Sequence, residues 1–142
     1  MGVAYMPQAK SVEWETPQHL FDEWNNEFNF TLDPCATHEN AKCAKYYTKE
    51  ENGLDQSWRG ESVFMNPPYG DALTVWVRKA SFAARFCKVI VALLPVRTGT
   101  KWFHNYILHK AEIRFLKGRI RFSGKEAAPF DSMLVIWRKE AV

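Results

Sequence analysis

A chain of 142 residues with 46% hydrophobic and 25% charged side chains can build a packed core, which sets aside disorder as its main state. The longest apolar run, Val89 to Pro95, is far short of the roughly 20 residues that cross a bilayer, and "MGVAYMPQAKSVEWET" lacks the apolar centre of a secretion signal. A membrane role is therefore not expected, and Cys35, Cys43 and Cys87 are expected as reduced thiols in the cytoplasm. The net charge of +3 conceals a division. Residues 1–77 carry 5 Lys/Arg against 12 Asp/Glu, whereas 78–125 carry 12 Lys/Arg against the single acid Glu112. Such a basic stretch suits a phosphate backbone through counterion release, and equally a plain solvated face.

In chain order, residues 1–12 are read as a flexible N-terminus to a single domain over 13–142. Thr16-Pro17 reads as N-cap and first residue of a helix carrying Leu20, Phe21, Trp24 and Phe28 at helical spacing. "FNFTLDPCA" predicts a strand ending at Asp33, stopped by Pro34. Residues 37–60 are mixed and polar, with turns or a short helix around 41–47. "SVFMN" predicts the next strand, and Asp71 the cap of a helix with Leu73, Trp76, Val77, Ala80, Ala83 and Ala84 on one stripe. "KVIVALLP" is a continuous apolar strand of the kind buried on both faces. "TGTKWFHNYILHK" reads as helix, and "AEIRFL", "RIRF" and "MLVIWRK" as three further strands.

This order predicts an α/β fold with parallel strands first and antiparallel strands at the C-terminal end. Ligands of such sheets bind beyond the carboxyl ends of the parallel strands. The segments Asp33-Pro34-Cys35-Ala36, Asn66-Pro67-Pro68-Tyr69 and Pro95-Val96-Arg97 should then share one edge.

The stretch "FMNPPYG" carries the chemistry. Pro68 removes a backbone donor and both proline rings hold φ, so the chain leaves its strand as a stiff extended tip. A rigid turn would need no more than this. The tip also presents the Asn66 amide oxygen and the Pro67 carbonyl as neighbouring acceptors, matching the two protons of a planar exocyclic amine. Accepting both protons favours the nitrogen becoming tetrahedral as it attacks, and Tyr69 can stack on the attached ring. Catalysis would then be mainly alignment and electrostatics, with an electrophile activated beforehand, such as the methyl sulfonium of S-adenosylmethionine.

"NPPY" after a strand is similar to the signature of amino-methyltransferases acting on adenine N6, cytosine N4 or protein glutamine. The chain more closely resembles the compact phage-type DNA N6-adenine methyltransferases through "WETPQHLF", "FTLDPCA", "LDQSW", "NPPYG", "LLPVRTGTKWF", "FLKGRIRF" and "SMLVIW". The resemblance runs in order from Trp14 to Trp137. It implies an abbreviated Rossmann-like methyltransferase sheet, S-adenosylmethionine as cofactor, and DNA as partner with its target adenine flipped out. A phage-encoded enzyme of this kind would act in the host cytoplasm. The resemblance assigns Asn66, Pro67, Pro68 and Tyr69 to the catalytic clamp. Thr16 and Pro17 match the segment holding the methionine end of the cofactor, and Asp33, Pro34, Cys35 and Ala36 the strand end beneath it. Asp55 is a candidate for the cofactor's adenine or ribose, and Asn40 for the ribose. The chain departs from many methyltransferases in having no glycine-rich loop after the first strand. That departure leaves open a nucleic-acid-binding domain without catalysis, and because the clamp accepts any planar amine, an RNA adenine, cytosine N4 or protein glutamine acceptor stays open too. Monomer and homodimer are both open.

Among the remaining residues, Arg97, Thr98, Lys101 and Arg119 are candidates for phosphate or base contacts. Cys35, His38 and Cys43 lack a clear fourth ligand at regular spacing, so no metal is expected. Trp14, Trp24, Trp58, Trp76, Trp102 and Trp137 read as core, and His104 and His109 as surface.

Overall fold

The computed structural model describes residues 14–122 and 126–139, so the segment expected to be flexible, 1–12, lies outside the described residues. Helix α1 (Gln18–Phe28) leads into β1 (Leu32–Asp33), β2 (Lys45–Tyr46) and β3 (Ser62–Met65). These are followed by α2 (Leu73–Ala83), β4 (Val89–Pro95), α3 (Lys101–Tyr106), β5 (Glu112–Phe115) and β6 (Ser132–Arg138). The six strands form one mixed sheet in the order β2-β1-β3-β4-β6-β5. The first four are parallel, while β6 runs antiparallel to both β4 and β5. Of the strands described, β6 alone is reversed, and β5, at the edge beyond it, runs in the same sense as the leading strands, so the expected set of antiparallel C-terminal strands reduces to one.

The central strands explain the core. Ile90, Ala92 and Leu94 of β4 face α2 and α3, together with Met133, Val135 and Trp137 of β6. Val89, Val91 and Leu93 face the other way with Leu134 and Ile136, where α1 contributes Phe21, Trp24 and Phe28. This period-2 partition of an unbroken apolar run is what burial on both faces requires. All seven residues of β4 are buried.

Several local expectations are corrected. Pro17, with extended backbone, is the N-cap of α1, and no side chain caps that helix. The carbonyl of Pro17 accepts from Leu20 and Phe21, and the Thr16 hydroxyl is engaged elsewhere. Residues 45–46 form a strand rather than a helix, because register with β1 satisfies their backbone where local propensity is weak. Ala72, not Asp71, is the N-cap of α2, again without a side-chain bond. Helix α3 ends at Tyr106, shorter than its pattern suggests, with Thr100 Oγ1 capping it by accepting from the Phe103 N–H. "RIRF" forms no strand, since β6 pairs with β4 and β5 and offers it no free edge.

One close approach shapes the region after β2. Gly53 is buried, and a Cβ there would stand 2.0 Å from the Pro34 carbonyl oxygen. Only glycine lets the turn at Gly53–Asp55 lie against the end of β1. The indole N–H of buried Trp58 fastens the turn by donating to the Gly53 carbonyl at 2.9 Å.

Candidate active site

From β1 the chain steps outward to β2, then returns across β1 to lay down β3, so the strand order reverses between β1 and β3. Carboxyl ends at such a point are followed by segments that diverge, leaving a crevice. A cavity of about 620 Å³ opens there. Asp33–Ala36 after β1 form one wall and Asn66–Tyr69 after β3 another. Trp14–Thr16 and Asn52–Leu54 close two further sides.

Asn66 is held by both protons of its amide. Nδ2 donates to the Trp14 carbonyl at 2.7 Å and to Thr16 Oγ1 at 3.0 Å. Oδ1 has no partner among the described residues, so this arrangement fixes which end of the amide is the free acceptor. The neighbouring carbonyl belongs to Pro67, whose ring restricts the backbone that carries it. The site therefore holds an oriented amide acceptor, with Pro67 and the Tyr69 ring in the same cavity lining. The Tyr69 ring meets Phe130 edge-on at 5.5 Å, and Phe130 in turn meets Trp14 at 5.4 Å. The Tyr69 hydroxyl reaches the Leu93 carbonyl only at 3.5 Å, and burial raises its pKa above the ordinary phenolic range.

Asp33 lies beneath these groups, 5% exposed. Its carboxylate accepts from the Lys42 N–H at 3.1 Å and weakly from the Cys35 N–H at 3.4 Å. Neither bond offsets the loss of solvent, and burial pushes its pKa up to about 6. No ion pair with a cationic side chain relieves it among the described residues. Burial and the Asp33 charge hold the Cys35 thiol well above its usual pKa, although the Asn66 backbone N–H bonds to it. Cys35 is thus a neutral wall residue rather than a nucleophile.

Of the residues expected at the site, Thr16, Asp33, Cys35, Ala36, Asn66, Pro67, Pro68 and Tyr69 line the cavity, as does Asn40. Thr16 lies 3.0 Å from the Asn66 amide nitrogen, which makes it a support of the clamp. Pro17 is outside the lining. So is Asp55, which is exposed and accepts from Asn52 Nδ2 at 2.9 Å. Arg97, Thr98, Lys101 and Arg119 are exposed and do not reach the cavity. They do share its edge: Arg97 and Thr98 follow the end of β4, and Val96 bonds the carbonyl of Asp131 just before β6. Arg119 Nε donates to Asp131 at 3.3 Å. Trp14, Asn52 and Gly53 of the lining, and Phe130 beside Tyr69, were not singled out for the site by sequence. Phe130 is 61 residues from Tyr69 in the chain, with no local pattern connecting the two.

The family described as DNA N-6-adenine-methyltransferase (Dam) matches residues 4–141. The chain is 36% identical over 116 residues to the DNA N-6-adenine-methyltransferase of Haemophilus phage HP1, covering 80% of this chain and 67% of that one. It is 31% identical over 113 residues to the DNA N-6-adenine-methyltransferase of Escherichia phage T1, covering 78% of this chain and 47% of that one. The chain thus spans about half the length of the T1 protein. With a family match over residues 4–141, the chain belongs to the DNA N-6-adenine-methyltransferase family.

Proposed function

We propose that the protein transfers a methyl group from S-adenosylmethionine to the N6 amine of an adenine flipped out of DNA, on an abbreviated Rossmann-like methyltransferase sheet. The observation that carries this reading is the Asn66 amide. Both of its protons are committed to Trp14 and Thr16, which leaves Oδ1 to accept, and Asn66 and Pro67 both line the cavity.

The cavity suits the cofactor on physical grounds. Asp33 is a buried carboxylate without an ion-pair partner among the described residues, and a cationic ligand would restore its charge. Bound S-adenosylmethionine supplies a positively charged sulfonium whose methyl is already activated. Asp33 would face its positive end, and Cys35, Ala36, Asn40 and Gly53 would shape the remaining walls. Thr16 Oγ1 accepts from Asn66, so its own proton remains available to donate into the cavity.

Asn66 Oδ1 and the Pro67 carbonyl receive the two N6 protons and increase electron density on that nitrogen. Tyr69 stacks on the purine, worth about 1–3 kcal/mol per base. No acid–base residue is needed, because the nitrogen loses a proton only as or after it bonds to the methyl carbon. Arg97, Thr98, Lys101 and Arg119 ring the same edge and would hold phosphates on either side of the extracted nucleotide.

Incubation with methyl-labelled cofactor and DNA, followed by digestion to nucleosides, tests the assignment. Label in N6-methyl-2′-deoxyadenosine is expected. Label in N4-methyl-2′-deoxycytidine, or transfer only when RNA or protein replaces the DNA, would reassign the acceptor, and cofactor binding without any transfer would leave a binding domain.

A further inference from the structure

Helix α2 runs away from the cavity edge, and the 3₁₀ turn Ala84–Phe86 that ends it lies at the opposite edge of the sheet. There the Gly60 N–H bonds the Phe86 carbonyl at 2.8 Å. Phe82 is 53% exposed and Phe86 52%, two of the four large apolar residues the described surface leaves this open. Each is accompanied by a cation. The Arg59 guanidinium stands 5.1 Å from the Phe86 ring centre, and that of Arg78 stands 6.0 Å from the Phe82 ring. Lys79 lies 5.2 Å over the Trp58 ring and donates to the Gln56 carbonyl. Between them is a concavity of about 300 Å³, lined by Trp58, Arg59, Lys79, Phe82 and Phe86. Among the described residues no carboxylate pairs with Arg59, Arg78, Lys79 or the exposed Arg85.

A solitary exposed phenylalanine needs no explanation. Two of them beside unpaired cations around a concavity form the combination that holds single-stranded nucleic acid, with cations along the phosphates and rings under the bases. An arginine beside a ring keeps a planar fork of donors for phosphate. We propose that this face binds a single-stranded segment of nucleic acid, as a second contact separate from the catalytic edge. The surplus of positive charge selects a polyanion. The stacking rings favour bases over an acidic polypeptide, whose side chains have no flat apolar face. Seven-residue β4 separates the two edges by about 23 Å at ~3.3 Å per residue, so a strand held here would not occupy the cavity. A polymer held at both edges gains effective concentration at the first from the second.

The test is fluorescence polarisation with a labelled oligothymidylate of about 20 nucleotides, which contains no adenine for the cavity. Phe82→Ala with Phe86→Ala is expected to weaken binding at least tenfold, and Phe82→Tyr with Phe86→Tyr to restore it. Arg59→Ala with Arg78→Ala should flatten the salt dependence. Methylation of a short duplex should be unchanged in all three variants. Affinities within twofold of wild type in both alanine variants would overturn the proposal. So would a polyglutamate peptide competing as well as unlabelled oligonucleotide, which would assign the face to an acidic protein. A parallel loss of short-duplex methylation would also overturn it, by making this face part of the catalytic edge. Failure of methyl transfer in the wild-type protein leaves the polarisation result standing.

Discussion

Two groups of charged residues in this molecule obey opposite rules. At the β5–β6 edge, Arg114 forms a fork with Glu27 at 2.7 and 2.8 Å, and Glu112 accepts from both Arg114 and Arg138. Every member is well hydrated, and the hydrogen bonds with Arg114 hold the carboxyls of Glu27 and Glu112 below their ordinary range. At the crevice, Asp33 is buried, has backbone donors but no ion pair among the described residues, and its pKa is raised to about 6. The paired charges look stronger in a list of contacts, yet exposed pairs are screened by water and contribute little. The unpaired charge costs the free protein stability, which is understandable where a cationic ligand is to be received. The comparison teaches that the informative charge is the one the fold leaves unsatisfied.

The largest expected effect lies at the clamp beside Asp33. Asn66→Ala removes one acceptor from the attacking amine, and kcat should fall on the order of 100-fold or more. Cofactor binding, followed by calorimetry, should persist. Turnover within a few-fold of wild type would remove Asn66 from the chemistry.

Asp33 sharpens the comparison through pH. Its folded pKa is above its unfolded value, so the folded chain binds this proton more tightly. The free protein therefore has this contribution in full below about pH 4 and loses it as pH rises toward 6. Two units correspond to about 2–3 kcal/mol. Denaturant titrations of Asp33→Asn should show that slope gone and greater stability at pH 7. Affinity of the wild type for S-adenosylmethionine should rise through pH 6 and level off, and the variant should bind weakly without that rise. An unaltered stability slope in the variant would mean that Asp33 is ionised throughout.

Thr16→Val keeps the volume and removes the acceptor from Asn66 Nδ2. A drop in kcat of about five- to tenfold is expected, the scale of one ordinary hydrogen bond. An unchanged kcat would mean that the Trp14 carbonyl alone orients the amide.

The smallest effect belongs to the other group. Glu27→Gln removes the charge from the Arg114 fork, and thermal denaturation should move no further than replicate scatter. A clear fall in melting temperature would show that the edge network contributes cooperatively.

Much of this was legible because it depends on neighbours in the chain. The strands at 62–65, 89–95 and 132–138 are apolar runs with one possible burial pattern, and Pro34 and Pro67-Pro68 stop strands wherever they occur. The stiff Asn66-Pro67-Pro68-Tyr69 tip follows from ring chemistry alone, and its place on the edge from parallel pairing. Tertiary structure decided the rest. A two-residue β2 exists only through its bonds to β1, and the role of Thr16 depends on an amide 50 residues away. The basic segment 78–125 reads as one stretch in sequence, but a helix running back across the sheet divides it. Arg97, Lys101 and Arg119 fall at the crevice edge, and Arg78, Lys79 and Arg85 toward or at the far one. Charge along a chain is a sum, whereas charge on a surface depends on direction, and only the crossover of α2 supplies it.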